Sequence, residues 1–188
     1  MKDFEDNGSF QTKMKTAIVY KSRHGTTEKI AQLIAAKLSD HHITIIDLRI
    51  SPWESIVEFD RIIIGGSIHM GKIQEAVRIF CDDNMDVLLK RELGLFMCGL
   101  NEEKLKEEFD LSFPRALRKH SKANGIFGGE FLFERMNILE KLIVKKLAHV
   151  HESISKIDYP AIDKFILEIE GDTLPETKGK VSAEGEKV

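Results

Sequence analysis

The stretch Ala17-Ile-Val-Tyr20, followed by Ser22-Arg-His-Gly-Thr-Thr27, decides the fold. A short run of consecutive apolar residues is typical of a buried parallel strand. The polar loop after it contains one glycine, and apolar residues then recur at helical spacing from Ile30 to Leu38. A strand, a short loop and a helix in this order predict the first half of a parallel β-α-β unit.

The same alternation continues along the chain. Further strands are predicted at Ile43–Leu48, Arg61–Ile64, Leu93–Met97 and Gly125–Phe127, with Gly65-Gly66 stopping the third and Cys98-Gly99 the fourth. Helices are predicted over Ile73–Leu89, within Asn101–His120 with a new start at Pro114, and over Asn137–Lys156 and Ala161–Ile169. This pattern predicts an α/β fold: a doubly wound, five-stranded parallel sheet of order 2-1-3-4-5 with helices on both faces.

The two ends of the chain lack this alternation. Residues 1–14 are polar and read as a flexible N-terminal extension without the apolar core of a signal peptide. Residues 171–188 contain almost no apolar side chains and read as a disordered tail. One domain is therefore expected over residues 15–170.

Composition narrows the function classes. The chain has 188 residues and a formal charge of −3, so no general attraction to nucleic acid is expected. Its two cysteines, Cys81 and Cys98, lack metal-ligand spacing, and no disulfide framework is expected from them, which favours a cytoplasmic protein without a metal site. No apolar stretch is long enough to span a membrane.

The loop Ser22–Thr27 has the chemistry of an anion cradle. Backbone N–H groups at a helix start are unpaired, and the helix dipole favours negative charge there. Ser22, Thr26 and Thr27 add hydroxyl donors, Gly25 permits a tight turn, and Arg23 and His24 add positive charge. A plain helix cap would use some of the same residues. The position of the loop favours anion binding over a plain cap, because it follows the first strand, where doubly wound sheets bind ligands.

Other doubly wound classes do not match. A phosphorylatable receiver needs acids after the first strand and an Asp ending the third, where this chain has Ser22-Arg23 and Gly65-Gly66. Neither Gly-x-Gly-x-x-Gly nor Gly-Lys-Ser/Thr occurs after the first strand, which excludes the usual dinucleotide and nucleoside-triphosphate loops.

Three loops in register carry a resemblance to a known family. Ser22–Thr27 resembles the Ser/Thr-x-x-Gly-x-Thr phosphate loop of flavodoxins, and Gly65–Gly71 is similar to the flavin-ring loop of their menaquinone-dependent protoporphyrinogen oxidase branch, Gly-x-Ser-Ile-x-x-Gly. Phe96–Asn101 lies where flavodoxins close over the other face of the ring, and Gly128-Gly129 also resembles that branch. The resemblance covers about Lys15 to Ile169.

The resemblance implies FMN as the cofactor. The phosphate would lie on the first loop, at Ser22, Arg23, His24, Gly25, Thr26 and Thr27. The ring would lie between the next two loops, at Ser67, Ile68, His69, Met70, Gly71, Cys98, Gly99 and Leu100. No catalytic residue is assigned.

The ring loops depart from those of many carrier flavodoxins. They contain no aromatic clamp, and the chain's one tryptophan, Trp53, follows the second strand. His69 and Lys72 stand where carriers have acids, and a cation near the ring favours reduced, anionic flavin. The site is therefore expected to be less strongly reducing than an acidic carrier's.

Two functions remain open at this stage. The first is an FMN oxidoreductase resembling protoporphyrinogen oxidase, taking electrons from a reduced donor such as a tetrapyrrole and passing them to a quinone or a protein partner. The alternative is a non-enzymatic flavodoxin electron carrier. The segment Phe131–Lys156 contains an amphipathic basic pattern, with Met136, Leu139, Ile143 and Leu147 on one face; it either covers the sheet or makes a peripheral membrane or quinone contact.

Overall fold

The structure is a computed structural model of the chain, and it describes residues 14–38, 42–69, 71–100, 103–131 and 154–171. The segments 1–13, 132–153 and 172–188 lie outside the described residues. The predicted terminal extensions, and the four apolar residues of the predicted amphipathic helix, therefore also lie outside them.

The described residues form eight strands and six helices. The strands are β1 (Lys15–Lys21), β2 (His42–Asp47), β3 (Arg61–His69), β4 (Lys72–Ile73), β5 (Glu92–Cys98), β6 (Ala123–Ile126), β7 (Gly128–Phe131) and β8 (Ile154–Ile157). The helices are α1 (Thr26–Lys37), α2 (Glu75–Asp83), α3 (Met85–Leu88), α4 (Leu105–Ser112), α5 (Arg115–His120) and α6 (Tyr159–Glu170).

Five parallel strands form the central sheet. Their order is β2-β1-β3-β5-β6, which confirms the predicted order 2-1-3-4-5 for the parallel strands. The short β4 adds an antiparallel pairing with the end of β3. A run of β-α-β connections with right-handed crossovers leaves few other orders open.

Apolar side chains cover both faces of the sheet, as predicted. On one face α1 and α6 pack over Ile18, Ile63 and Phe96, whose ring stacks on Phe127 with centroids 5.5 Å apart; Phe165 of α6 meets Phe127 edge-on at 5.4 Å. On the other face α2 to α5 cover the alternate strand residues. Because both faces are buried, the strands read as continuous apolar runs.

Gly65 and Gly66 do not stop the third strand, contrary to the prediction. β3 continues through both to His69, because the two glycines make room for neighbours rather than a turn. A Cβ on Gly65 would lie 1.9 Å from Cζ of Phe96, and one on Gly66 would lie 2.7 Å from Ile73 Cγ1. The fourth strand likewise runs to Cys98. Ser67, Ile68 and His69 therefore belong to a strand.

The last strands also differ from the prediction. The fifth parallel strand is Ala123–Ile126, so Phe127 lies beyond its end. The predicted helix Asn137–Lys156 is wrong at its C-terminal end, because residues 154–156 lie in β8, which pairs antiparallel with β7. Pairing between segments so far apart in sequence leaves no local periodic signal.

The predicted helix Ile73–Leu89 is divided in the structure. Ile73 belongs to β4, and Asn84 separates α2 from α3, with its side-chain amide donating to the carbonyl of Phe80 at 2.9 Å. Pro114 precedes α5, as predicted. Among the described residues, no helix is long and apolar enough to cross a membrane.

Candidate functional site

The sheet register brings three loops together at one edge. Lys21 at the end of β1 pairs with Gly66 of β3, and Gly66 pairs with Met97 of β5. One residue further, Ser67 pairs with Cys98. The loops after β1 and β5 therefore flank the end of β3 and its hairpin, at the carboxyl ends of the strands.

The loop between β1 and α1 leaves the start of the helix uncapped. Gly25 occupies the N-cap position with a φ of 94°, a left-handed conformation that glycine adopts without strain. The Ser22 hydroxyl, which is 2% exposed, accepts a hydrogen bond from the Gly25 N–H at 2.9 Å. No described side chain caps the first turn of α1, so its N–H groups remain available to an anion.

The two threonines of the loop differ in their contacts. The Thr26 hydroxyl donates to the backbone carbonyl of Glu130 at 3.5 Å, a long contact. The Thr27 hydroxyl is fully buried beside the Cys98 thiol, yet it forms no hydrogen bond of ordinary geometry with any described residue. A buried hydroxyl without a partner costs about 1–3 kcal/mol, so a ligand oxygen that reached this donor would stabilise the protein.

β3 and β4 form a hairpin that side-chain hydrogen bonds hold in place. Gln74 accepts from the Ser67 N–H at 3.0 Å and donates to the Ser67 hydroxyl at 2.7 Å. Gly71 turns the chain with a φ of 78°. His69 and Lys72 pair across the hairpin and are both exposed, so the imidazole and the ammonium group face solvent at the site's edge.

The loop after β5 is packed closely against its neighbours. The Gly99 N–H donates to the carbonyl of Gly128 at 2.8 Å. A Cβ on Gly99 would lie 2.6 Å from Cδ2 of Leu105 and 3.6 Å from Cβ of Ile68, and one on Gly129 would lie 3.1 Å from Leu100. The loop after β5 therefore packs against α4, β3 and β7, and the contact with Leu105 is the one that requires glycine at position 99.

Cys98 points into the core rather than into the site. Its side chain is 2% exposed, and burial raises the pKa of its thiol to about 12, against a smaller lowering by the Thr27 hydroxyl. Such a thiol stays protonated and unreactive at neutral pH. The Cys98 side chain is therefore not positioned to contact a ligand at this edge.

The loop after β2 adds an anchored arginine. The Asp47 carboxylate, almost fully buried at the end of β2, accepts from the Arg49 N–H and Nε, each at 2.8 Å, and more weakly from the Tyr20 hydroxyl at 3.4 Å. Burial alone would raise the pKa of Asp47, but the hydrogen bonds and charge of Arg49 outweigh it and lower the pKa. The guanidinium is thereby held with 44% of its side chain exposed.

A cavity of about 500 Å³ opens between these loops on the β2 side of the hairpin. Five of its lining residues are basic: Lys21, Arg23, Arg49, His69 and Lys72. The others are Ser22, Ile73, Gln74 and Glu75. The volume is in the range of small-molecule sites, and the balance of charge on its wall is positive.

The family model described as a flavodoxin domain matches residues 17–158, three quarters of the chain. The chain belongs to the flavodoxin domain family. No curated protein sequence matches it.

Solved structures share the fold of this flavodoxin domain. A short-chain flavodoxin associated with a non-canonical PDU bacterial microcompartment matches at 16% identity and a TM-score of 0.52, over 84% of this chain and 98% of that one. Rubredoxin oxygen:oxidoreductase from Desulfovibrio gigas matches at 11% identity and a TM-score of 0.51, over 84% of this chain but 36% of its own. Oxidised flavodoxin 2 from Bacillus cereus is 27% identical over 61% of this chain and 81% of its own, with a TM-score of 0.48.

The structure gathers most of the predicted site residues of this flavodoxin domain at one edge. The loop 22–27, the end of β3 at 67–69, Gly71 and the loop 98–100 all lie at the carboxyl ends of β1, β3 and β5. Met70 lies outside the described residues. Only Ser22, Arg23 and His69 of the predicted set also line the cavity.

Sequence reasoning missed several residues of this edge. Arg49 and Lys21 line the cavity, and Gln74 fixes the hairpin. Glu130, in β7, forms an ion pair with Lys29 of α1 at 2.8 Å. The position of Arg49 could have been predicted from the strand order, because a residue just after β2 must lie near the end of β1. The position of Glu130 could not, because it depends on the unpredicted pairing of β7 with β8.

Proposed function

We propose that this flavodoxin domain binds FMN at the carboxyl ends of β1, β3 and β5 and works as an oxidoreductase. The observation that carries the proposal is the start of α1, where Gly25 leaves the first turn without a side-chain cap next to the orphaned Thr27 hydroxyl. This loop lies where the strand order reverses, the position at which flavodoxin, the type member of the family, holds its FMN.

The residues present fit the phosphate of FMN. The uncapped N–H groups of α1 and the helix dipole favour a dianion, and Arg23 adds a positive charge to the loop. A phosphate oxygen would give Thr27 the partner that it lacks among the described residues. The Ser22 hydroxyl keeps the turn closed through its bond with Gly25, which holds the cradle in shape.

The residues present also fit the flavin ring. The end of β3 and the loop after β5 lie side by side, with Ile68 and Gly99 in van der Waals range of each other. The Ser67 and Gly99 N–H groups are already bonded to Gln74 and Gly128, so other backbone groups of these two segments would bind the ring, while Lys72 supplies positive charge nearby. FMN, when bound, supplies the electron-transfer chemistry; the nearby cations favour its reduced, anionic form.

For the reaction, we propose an activity like that of protoporphyrinogen oxidase, with a reduced tetrapyrrole as donor and a quinone or a redox protein as acceptor. The similarity of Gly65–Gly71 to that branch and the lack of acids between Ser67 and Lys72 support it. A peripheral membrane contact through Phe131–Lys156 is part of the same proposal.

Anaerobic redox assays test this function. The FMN-loaded protein is mixed separately with protoporphyrinogen, with menadione after photoreduction, and with a ferredoxin-type partner, and flavin absorbance is followed. Bleaching by protoporphyrinogen and rapid recovery with menadione are expected. Exchange with the protein partner alone would identify an electron carrier instead and would contradict the proposed activity.

A further inference from the structure

The β2 side of the central sheet ends in an open strand edge. β2 pairs with β1 on one side and, among the described residues, with no strand on the other. Its even-numbered residues direct their backbone groups toward β1, since the His42 N–H donates to the Met14 carbonyl at 3.1 Å. Backbone groups alternate in direction along a strand, so the N–H and C=O groups of Ile43 and Ile45 face outward.

This edge lacks the features that usually keep strand edges apart. Soluble proteins protect an edge strand with lysine, proline or a bulge, whereas the stretch Ile43-Thr-Ile-Ile46 contains neither residue type, carries no charge and pairs with β1 without a bulge. At the carboxyl end of β2 the Asp47 carbonyl is already occupied, because it accepts from the N–H groups of Ile50 and Ser51. The open edge is therefore short and centred on Thr44.

Exposed apolar side chains gather around this edge. Of the eight large apolar residues that are exposed in the described part of the chain, four lie within 45–57: Ile45, Ile50, Trp53 and Val57. Ile45 lies on the face covered by α1, and the other three lie in the crossover from β2 to β3, which contains no helix over its fully described residues 48–60. Parallel crossovers usually contain a covering helix, and an apolar surface left without one indicates a protein contact.

The open edge is complementary to a second copy of itself. Antiparallel pairing of two β2 strands about a two-fold axis at Thr44 sets Ile43 of each copy opposite Ile45 of the other. Each of these pairs exchanges two backbone hydrogen bonds and covers the exposed Ile45 side chain with an apolar one. The two Thr44 side chains meet on the opposite face, and no like charges meet along Ile43–Ile46.

The crossovers add the area that a pair of strands alone lacks. A two-fold axis between antiparallel strands is perpendicular to their sheet, so both crossovers lie on the same face of the joined sheet, beside the axis. A stable interface buries about 800 Å² on each partner, and one aromatic side chain contributes about 150–250 Å². Trp53, which is 81% exposed, and Ile50, which is 79% exposed, are available to extend the contact.

We propose that this chain forms a two-fold symmetric homodimer in which the two β2 strands pair antiparallel, centred on Thr44, and join the two sheets into one. The antiparallel arrangement directs the carboxyl ends of the two sheets, and with them the two candidate FMN sites, to opposite ends of the dimer. The dimer therefore does not depend on the proposed function.

A cysteine at position 44 tests the register. In an antiparallel pair without mutual hydrogen bonds the Cα atoms lie about 4.5 Å apart, which is within the range of a disulfide. Under mild oxidation of the full chain with FMN present, Thr44→Cys should form a covalent dimer at least about tenfold faster than Lys119→Cys, because pairing raises the effective thiol concentration. Lys119 is equally exposed, on α5, and the native Cys81 and Cys98 are buried.

Sedimentation equilibrium measures the association itself. At high micromolar concentration the full chain with FMN present should have twice the monomer mass of 21.4 kDa. Ile45→Lys should raise the dimer dissociation constant at least about tenfold, because it sets an ammonium group against an apolar side chain of the other copy. Ile79→Lys, on α2, is the matched control, since Ile79 is 39% exposed against 42% for Ile45, and it should leave the constant unchanged.

Three results would overturn the proposal. One is a chain that stays monomeric at every concentration. Another is a dimer that Ile45→Lys leaves intact, or a Thr44→Cys chain that links no faster than Lys119→Cys, since either places the contact elsewhere. The third is a monomer that dimerises only once residues 1–13 are removed, which would mean that this chain's own N-terminal segment covers the edge. Neither measurement reads the flavin, so a failure to bind FMN would refute the proposed function alone.

Discussion

Replacing Thr27 by valine should change stability and cofactor affinity in opposite directions. The Thr27 hydroxyl is fully buried and lacks a hydrogen bond of ordinary geometry with any described residue. Valine has nearly the same shape and removes the orphaned donor. The FMN-free variant should therefore gain about 1 kcal/mol, which raises the Tm of a chain of this length by roughly 2–4 °C.

FMN binding should weaken in the same variant. A hydrogen bond to a charged group contributes about 1.5–3 kcal/mol, so its loss should raise the FMN dissociation constant about 10- to 150-fold. Thermal unfolding by circular dichroism measures the first effect. Quenching of FMN fluorescence during titration of the FMN-free protein measures the second.

Thr16 offers a matched control for this variant. Its hydroxyl is also fully buried and also lacks a partner among the described residues, but it lies near the start of β1, far from the cradle. Thr16→Val should stabilise the protein to a similar extent and leave FMN affinity unchanged. If Thr27→Val binds FMN as tightly as the original chain, or if it destabilises the FMN-free protein, the assignment of this hydroxyl to the phosphate is refuted.

Three further predictions concern the loop, the Asp47 carboxylate and the thiols. Gly25→Ala should lose about 1 kcal/mol and weaken FMN binding through strain at a φ of 94°, whereas Gly171→Ala, at a φ of 82° with no neighbouring atom within 4 Å, should lose stability alone. Because the folded state lowers the pKa of Asp47, its contribution to stability is complete above the ordinary value of 3.8 and is lost as the pH falls below it; urea titrations between pH 5 and 3 should show this loss, reduced in Asp47→Asn. Burial raises the thiol pKa of Cys81 and Cys98 to about 12 each, so Ellman's reagent at pH 8 should label neither in native protein and both in urea; rapid native labelling would contradict their burial.

The parallel sheet could be predicted because its information is local. Each strand is a short apolar run, each crossover contains a helical pattern, and the handedness rule then restricts the order. The cradle residues could be predicted for the same reason, because the loop after the first strand of such a sheet has a known position. The register of β1, β3 and β5 therefore placed the loops side by side as expected.

The errors arise where a residue acts through a distant partner. In sequence, Gly65 and Gly66 look like a turn. In the structure, glycine is needed at these positions because a Cβ there would collide with the ring of Phe96 or the side chain of Ile73. Residues 154–156 look helical, but β7 pairs with them. Neither partner is near in sequence, so no window of a few turns could reveal the contact.

The cavity was missed for a related reason. Its cations are scattered from Lys21 to Lys72, and no short motif contains them. Arg49 is held there by its hydrogen bonds with Asp47, two residues earlier in the chain. This local contact indicates a position at the cavity only once β2 is known to lie beside β1. Clusters assembled from several strand ends are visible in sequence only after the strand order is known.

Comparison of FMN with riboflavin tests the central claim most directly. Riboflavin carries the same ring without the phosphate, so the two ligands differ only in the group assigned to the cradle at the start of α1. Titration of the FMN-free protein should give one-to-one FMN binding, at least a hundredfold tighter than that of riboflavin. Equal affinities, or no binding of FMN, would contradict the account.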